Sequence, residues 1–420
     1  MTALRFGEAI LARHDELAAL TEEPGRLTRT YLTAKHREAG ERIAGWMREA
    51  GMAAGFDAMG NVVGRYEGAT PGAPALMTGS HMDTVVDAGK YDGSFGILSP
   101  IACVADLHAR GKQLPHAIEV VAFGDEEGVR FGATLLGSRA FAGRFDPKTL
   151  DAKDKDGVTL REAIRAFGGD PDAIASLARD PAKVAAFIET HIEQGPVLLD
   201  EGLPAGLVTA IAGCARVRAT VTGFAGHAGT VPMGLRKDAL AAAAEMALAV
   251  ERVCAERADR LVGTVGKFAV DGGGAINVIP GSVSFTVDVR SGEDGERRMA
   301  AAAVRAECEA IAAARGVTLS WDPFFELQAA PCDPRLMRLL GECIARAGLP
   351  VRELPSGAGH DAMEMARLVP AAMLFVRCGA GGVSHNPAET LTAEDADFGT
   401  RVLLDFLERF DARPFQGPAR

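Results

Sequence analysis

The chain has 420 residues, of which 48% are hydrophobic and 24% charged, and its formal net charge at pH 7 is −11. This length exceeds the size at which one hydrophobic core stops growing, so we expect two domains. The acidic balance argues against nucleic-acid and membrane partners, and the apolar runs are too short for a transmembrane helix.

The start of the chain, MTALRFGEAILARHDELAAL, predicts an amphipathic helix that carries acids. It lacks the basic-then-apolar layout of a signal peptide. The seven cysteines are scattered without CxxC pairing, which is typical of reduced thiols in a cytoplasmic protein. We expect these cysteines to be small core residues.

The first half of the chain alternates strand-like and helix-like runs. The strand-like runs are PALMTGS, AIEVVAFGD and KVAAFIETHI, and amphipathic helical patterns lie between them. The hairpin-like segment GFDAMGNVVGRYEG adds an antiparallel element. We therefore predict an α/β catalytic domain whose mixed sheet is covered by helices on both faces.

The pattern changes near residue 213. Four strand-like runs and two long helical runs follow in the order βαββαβ, and helix–strand alternation then resumes after DPFFELQAAPCDP. This order predicts a two-layer sandwich of one sheet and two helices over residues 213–328. The simplest architecture inserts this smaller domain between two catalytic segments, residues 1–212 and 329–420.

Two acidic groups follow strand-like runs. The stretch GSHMDTVVDAGKYDGSFGI places His81 and three aspartates after the first run, and Asp125, Glu126 and Glu127 follow a second. Three adjacent acids would normally form a solvated turn. Functional residues in α/β proteins usually lie at strand ends. Two metal ions would explain why two acidic groups lie there. Carboxylates and neutral imidazoles suit Zn²⁺, Mn²⁺ or similar ions.

Individual roles follow from two-metal chemistry, in which a shared carboxylate holds two ions about 3.5–4 Å apart. Asp92 is placed to be that bridge, with His81 on one ion and Glu127 on the other. Asp83 lies two residues from His81 on an extended segment, so it would orient this ligand. Glu126 points away from its neighbour and is free to act as general base.

The nine histidines divide into two groups. Four have no nearby chemical partners in the sequence and are expected to be solvated or packed: His14, His36, His108 and His116. The other five lie beside glycines or acids: His81, His191, His227, His360 and His385.

Eight segments of the chain resemble, in the same order, the amidase branch of the M20 dimetal hydrolases: GSHMDTVVDAGKYDG, GDEEGVRF, HIEQGPVL, GHAGTVPM, NVIPG, VDVRS, SGAGHDAM and SHNPAE. This branch contains N-carbamoyl-L-amino-acid hydrolases, β-ureidopropionases and allantoate amidohydrolases. The resemblance implies two divalent ions, Zn²⁺ or Mn²⁺, with Co²⁺ or Ni²⁺ as alternatives. It implies Glu126 as the base and five metal ligands: His81, Asp92 (bridging), Glu127, His191 and His385.

The resemblance also implies substrate contacts. Arg290 and Asn277 would bind the substrate carboxylate, joined by Arg216 in allantoate enzymes, and arginine forks pair bidentately with carboxylates. Without the resemblance, Arg290 at a strand end would be interpreted as a surface ion pair. Gln194 and His360 would contact the ureido group.

His227 is implied to support the tetrahedral oxyanion, although it lies in the inserted domain and the metals lie in the other. We expect the inserted domain to form a homodimer through its sheet edges and helices. His227 would then reach the partner subunit's active site. Closure of this lid over the substrate would complete the site and exclude water.

Three interpretations remain at this point. The first is a cytoplasmic dimetal amidohydrolase that cleaves the ureido group of an N-carbamoyl-L-amino acid or of allantoate and releases ammonia and carbon dioxide. The second is an M20 dipeptidase or N-acyl-amino-acid deacylase. His191 argues against it, because those branches usually have a carboxylate at this position. The third is a binding module without catalysis, which would be expected to lack a ligand or the base.

Overall fold

A computed structural model describes residues 5–415 of the chain. It divides into two compact units: the first contains the segment that ends at Thr209, Cys332–Leu354 and the segment from Gly359 onward, and the second contains Ala210–Pro331 and Pro355–Ala358. The predicted insertion, residues 213–328, falls inside the second unit. The chain enters that unit twice, which the sequence did not indicate. Residues 1–4 and 416–420 of the predicted catalytic segments lie outside the described residues.

Within residues 5–415 the strands, numbered in chain order, are β1 (Ala53–Phe56), β2 (Val62–Tyr66), β3 (Ala75–His81), β4 (Ala117–Phe123), β5 (Val184–Ile192), β6 (Ala205–Ile211), β7 (Gly213–Thr222), β8 (Gly226–His227), β9 (Leu261–Val270), β10 (Val278–Ile279), β11 (Ser282–Ser291), β12 (Thr318–Leu327), β13 (Ala330–Pro331), β14 (Glu353–Ser356) and β15 (Ala371–Val376). The α-helices in the same range are α1 (Gly7–Ala18), α2 (Ala34–Glu49), α3 (Ser94–Ala109), α4 (Leu136–Phe141), α5 (Leu160–Phe167), α6 (Val197–Asp200), α7 (Ala239–Ala255), α8 (Asp294–Arg315), α9 (Pro334–Arg346), α10 (Asp361–Met365) and α11 (Ala393–Arg409).

The first unit is built on a mixed sheet with the strand order β1-β2-β4-β3-β5-β15-β6. Its four central strands, β4, β3, β5 and β15, run parallel, whereas β2 and β6 are antiparallel to their neighbours. Every residue of these four strands is buried, as expected for parallel strands covered on both faces. The predicted mixed α/β sheet and the β1–β2 hairpin are confirmed. The carboxyl ends of the four parallel strands meet at one edge of the sheet.

The second unit has the predicted βαββαβ order. Its four-stranded antiparallel sheet has the order β12-β7-β11-β9, and residues of β11 alternate between buried and half-buried. The buried residues of β7 and β11 form one apolar cluster with α7 and α8. The sequence analysis missed the short pair of β8 with β10, which places Val278 opposite His227.

Two further expectations, on membrane helices and on the cysteines, can be compared with the structure. Among the described residues, no helix combines the length and apolar character that a membrane crossing requires. All seven cysteines are buried and none forms a disulfide, which agrees with their expected role as small core residues.

Candidate metal centre

The ends of the parallel strands bring together the residues that the sequence singled out as metal ligands. His81 ends β3, His191 lies one residue before the end of β5, and Glu127 follows β4. His385 lies on the segment after β15, and Asp92 lies just before α3. The loops at this sheet edge therefore bring the five side chains within reach of one another.

Asp92 is the centre of the arrangement. Its Oδ1 lies 3.5 Å from Nε2 of His81 and 3.2 Å from Nε2 of His191, whereas its Oδ2 lies 3.2 Å from Nε2 of His385. Nε2 of His385 is also 3.5 Å from a carboxylate oxygen of Glu127. The donor atoms form two groups, His81–Asp92–His191 and Asp92–Glu127–His385, and within each group they lie within 4.8 Å of one another. One carboxylate thus offers one oxygen to each of two candidate cation positions.

The hydrogen bonds of the imidazoles fit metal ligation. Nδ1 of His81 lies 3.0 Å from the carbonyl oxygen of Asp83, and Nδ1 of His191 lies 2.9 Å from that of Ile192. A ring nitrogen that faces a carbonyl carries the proton, which leaves a lone pair on Nε2.

The lone pair of His81 faces Asp92. That of His191 lies between Asp92 and the backbone N–H of Gly93, which donates to it at 3.2 Å. A lone pair and a carboxylate oxygen at this distance repel each other unless a cation or a second proton lies between them. The donor set therefore fits divalent metal ions.

Electrostatics in the centre also favour added positive charge. Burial lowers the pKa of His81, but the hydrogen bond with Asp92 and the charge of Glu126 raise it well above its usual value. Burial raises the pKa of Glu127 to about 7, opposed by His81. Burial likewise raises the pKa of Glu126 well above its usual value. The carboxylates thus crowd together more negative charge than the imidazoles offset.

The two glutamates differ in their position. Both lie with His81 in a third group of close donor atoms, but only Glu127 also belongs to the group of Asp92 and His385. Glu126 therefore belongs to one group of close donor atoms and Glu127 to two, as expected if Glu127 is a ligand and Glu126 is a base. A raised pKa makes a carboxylate a stronger proton acceptor, which suits general-base catalysis.

Asp83 contacts the site through its main chain as well as through its carboxylate. The atom that meets the His81 ring is its backbone carbonyl oxygen, whereas its carboxylate is 3.9 Å from Nδ1. The carboxylate instead accepts hydrogen bonds from the backbone N–H groups of Glu126 (3.2 Å) and Glu127 (3.3 Å). Asp83 thus supports the ligand through its main chain and the two glutamates through its side chain.

The backbone around the centre adopts rare conformations. Asp125, Gln194 and His385 have φ values of 62°, 55° and 55°, in the left-handed region that non-glycine residues seldom occupy. At Gly93, with φ of 64°, a Cβ atom would lie 2.5 Å from the His81 ring. Such conformations persist only where surrounding contacts enforce them, and they cluster at functional sites.

Gln194 and His360 lie in the first unit near the metal ligands. Nε2 of Gln194 is 3.0 Å from Oδ2 of Asp92 and 3.1 Å from Oγ of Ser384, so its amide contacts a candidate ligand. The His360 ring is buried, and its centroid lies 4.5 Å from that of His191. Their predicted contacts with a ureido group stay predictions.

Three residues beside the centre were missed: Glu189, Ser384 and Glu389. Glu189 lies two residues before His191 on β5, and strand alternation could have placed both on one face. It accepts hydrogen bonds from the Ser80 hydroxyl (2.6 Å) and from the backbone N–H of Ala362 (2.8 Å). Ser384 and Glu389 flank His385 in the segment SHNPAE, but no pattern in this segment indicates their contacts.

The remaining candidate residues belong to the second unit. Arg216 and Arg290 both contact Asp288, at 3.2 and 2.9 Å, and Nη1 of Arg290 donates to the carbonyl oxygen of Gly357 at 2.7 Å. Two arginines that share one aspartate leave a net positive charge.

Asn277 and His227 lie on two adjacent segments of this unit. The carbonyl of Asn277 accepts a hydrogen bond from the backbone of Ala228 at 2.9 Å. His227 is exposed, and its Nδ1 accepts from the backbone N–H of Gly229 at 3.1 Å.

Comparisons with known proteins agree with this geometry. Residues 77–409 match the sequence profile of Peptidase family M20/M25/M40. An N-carbamoyl-L-amino acid amidohydrolase of Geobacillus stearothermophilus is 42% identical over 398 residues, which cover 94% of this chain and 97% of the relative. An allantoate deiminase of Arabidopsis thaliana is 40% identical over 436 residues, covering 97% and 82% of the two chains.

A solved structure is similar over the same extent. The crystal structure of an amidase of the hydantoinase/carbamoylase family from Burkholderia multivorans has a TM-score of 0.90 and 34% identity, and the match covers 98% of both chains. The resemblance seen in the sequence motifs is thereby confirmed.

The two glutamates can be separated by measuring metal content together with turnover. Glu126→Gln should leave metal content near that of the wild type and lower hydrolytic turnover by about 10²–10⁴-fold, the usual contribution of a general base. Asp92→Ala should lower the content of both metal ions, because its carboxylate belongs to both groups. Elemental analysis of the purified proteins measures the difference. Loss of metal from the Glu126 variant would mean that Glu126 is a ligand.

Proposed function

Because the chain belongs to Peptidase family M20/M25/M40 and is an amidohydrolase of non-peptide carbon–nitrogen bonds, we propose that it hydrolyses the ureido group of a small anionic compound in the cytoplasm. The substrate would be an N-carbamoyl-L-amino acid or allantoate, and the products ammonia, carbon dioxide and the amine. The observation that carries the proposal is the shared carboxylate of Asp92 between two groups of donors. The buried free cysteines support a reducing compartment.

Two Zn²⁺ or Mn²⁺ ions would be held by Asp92 and the four side chains around it. Such ions polarise a carbonyl oxygen and lower the pKa of bound water. Glu126 would accept the proton of the attacking water and pass it to the leaving nitrogen. Arg290, beside Arg216, would pair with the substrate carboxylate. His227, Asn277, Gln194 and His360 are proposed to contact the substrate or its transition state.

The activity can be tested by an ammonia-release assay with added Mn²⁺ or Zn²⁺. Allantoate, an N-carbamoyl-L-amino acid, N-carbamoyl-β-alanine and a dipeptide should be compared. We expect ammonia from allantoate or from an N-carbamoyl compound and no cleavage of the dipeptide, because His191 is typical of the carbamoyl branch. The Glu126→Gln protein is the control for contaminating activity. Cleavage of the dipeptide without ammonia release would favour the dipeptidase interpretation.

The role of Arg290 can be tested by its effect on KM. Arg290→Ala should raise KM for anionic substrates by roughly one to two orders of magnitude, since a hydrogen bond to a charged group contributes about 1.5–3 kcal/mol. Arg218→Ala is a matched control, because Arg218 lies on the same sheet and pairs with Asp322 at the surface. Equal KM values for the two variants would return Arg290 to the role of a surface ion pair.

We propose that the second unit also forms a homodimer. Its edge strand β9 exposes two apolar side chains, Val262 and Phe268, and α7 exposes Leu248, and exposed edge strands tend to pair with another chain. Sedimentation should give twice the chain mass of 43.9 kDa. The double variant Val262→Lys, Phe268→Lys should be monomeric. Val351→Lys, at an exposed apolar residue of the first unit, should remain dimeric. A monomeric wild type would contradict the proposal.

A further inference from the structure

Glu389 is a buried carboxylate that none of the roles above uses. Its side chain is 4% exposed. Its Oε1 accepts hydrogen bonds from the backbone N–H groups of Tyr91 (2.8 Å) and Asp92 (3.2 Å), and its Oε2 lies 2.7 Å from the hydroxyl of Ser384. One carboxylate thus joins the loop that carries Asp92 to the segment that carries His385.

The same group reaches the side chain of Asp92. Oγ of Ser384 lies 3.3 Å from Oδ2 of Asp92, and Nε2 of Gln194 lies 3.0 Å from that oxygen. Oδ2 is the oxygen that faces His385. The single hydroxyl proton of Ser384 goes to Glu389 at the shorter distance, so Oγ of Ser384 accepts from one N–H of Gln194. The other N–H of Gln194 donates to Oδ2 of Asp92. Glu389 therefore fixes the backbone of Asp92 directly. It fixes the carboxylate of Asp92 through Ser384 and Gln194.

The packing around Glu389 leaves it little freedom. A Cβ atom at Gly89 would lie 2.3 Å from the carboxyl carbon of Glu389, so glycine at this position makes room for the carboxylate. The two backbone donors that it satisfies are buried or partly buried. Removing the acceptor would leave them without a partner, and the loop would have to shift to find one.

We infer that Glu389 is a positioning residue for the metal centre: it fixes the loop of Tyr91 and Asp92 and, through Ser384 and then Gln194, the orientation of the Asp92 carboxylate. The inference rests on the proposed metal centre. A carboxylate that serves two cation positions must present one oxygen to each, so a rotation of Asp92 lengthens contacts on both sides. Loss of Glu389 should therefore weaken both metal sites, although Glu389 itself lies outside both groups of donor atoms.

The test measures Zn²⁺ and Mn²⁺ binding to the metal-depleted full-length protein by competition with a chromogenic chelator. Glu389→Ala should weaken binding at both sites by about 10–100-fold, the usual effect of losing a residue that orients a ligand. Glu389→Gln should restore most of the affinity. Its amide oxygen can still accept from Tyr91 and Asp92, and its NH₂ group can donate to Ser384.

A matched control separates positioning from general stability. Asp397 is also a buried carboxylate that accepts backbone N–H groups, those of Arg5 and Phe6 at 2.7 Å each and that of Gly7 at 3.4 Å. Asp397→Ala should lower the melting temperature of the metal-depleted protein but leave the affinity of the folded protein for metal unchanged.

The outcomes are distinguishable. A Glu389→Ala protein that binds both ions as tightly as the wild type would overturn the inference and leave the metal centre standing. Equal losses of affinity in the Glu389→Ala and Asp397→Ala proteins would assign the effect to stability and would also overturn it. A wild type that binds no divalent ion would overturn the metal centre itself, and the inference with it.

Discussion

The contact on which the rest of the site depends is that of one buried carboxylate, Asp92, with three imidazoles. Burial opposes its ionisation, but His191, His385 and His81, which can each carry a proton on the nitrogen that faces the carboxylate, hold its pKa well below the usual value. An anion stabilised in this way acts as a fixed negative point around which cations and ligands arrange. Because its two oxygens face different donor groups, the centre is divided into two halves by the geometry of a single side chain.

The sheet explains how such a centre is held. Four parallel strands end at the same edge of the sheet, so the loops that follow them bring distant parts of the sequence together there. The strands are buried throughout, and this rigid support tolerates left-handed backbone at Asp125, Gln194 and His385. The buried core thus stabilises backbone conformations that the loops alone would not adopt.

Features that follow from periodicity and residue type could be predicted from the sequence, whereas roles that depend on contacts between distant residues could not. Strand and helix periodicity located the main elements, and acids after strand ends marked the centre. The roles of Asp83 and Glu389 depend on which atom of a side chain or backbone meets a neighbour from elsewhere in the chain, and no spacing rule encodes this. Asp83 uses its carbonyl for His81, and Glu389 reaches back almost 300 residues to Asp92. The return of Pro355–Ala358 to the second unit is equally a product of tertiary packing.

The same distinction explains why the reaction class is easier to derive than the substrate. The proposed metal centre would act on the ureido group, which N-carbamoyl amino acids and allantoate share. The paired arginines, Arg216 and Arg290, are partly offset by Asp288, and their remaining positive charge matches one carboxylate, which both compounds also carry. The two compounds differ at the α-carbon, where one has an amino-acid side chain and the other a second ureido group. A hydrophobic contact would favour the first, and paired hydrogen-bond donors and acceptors would favour the second. Under the proposed function, substrate choice would therefore depend on neutral polar or apolar groups, because the charged groups would recognise only what both compounds have in common.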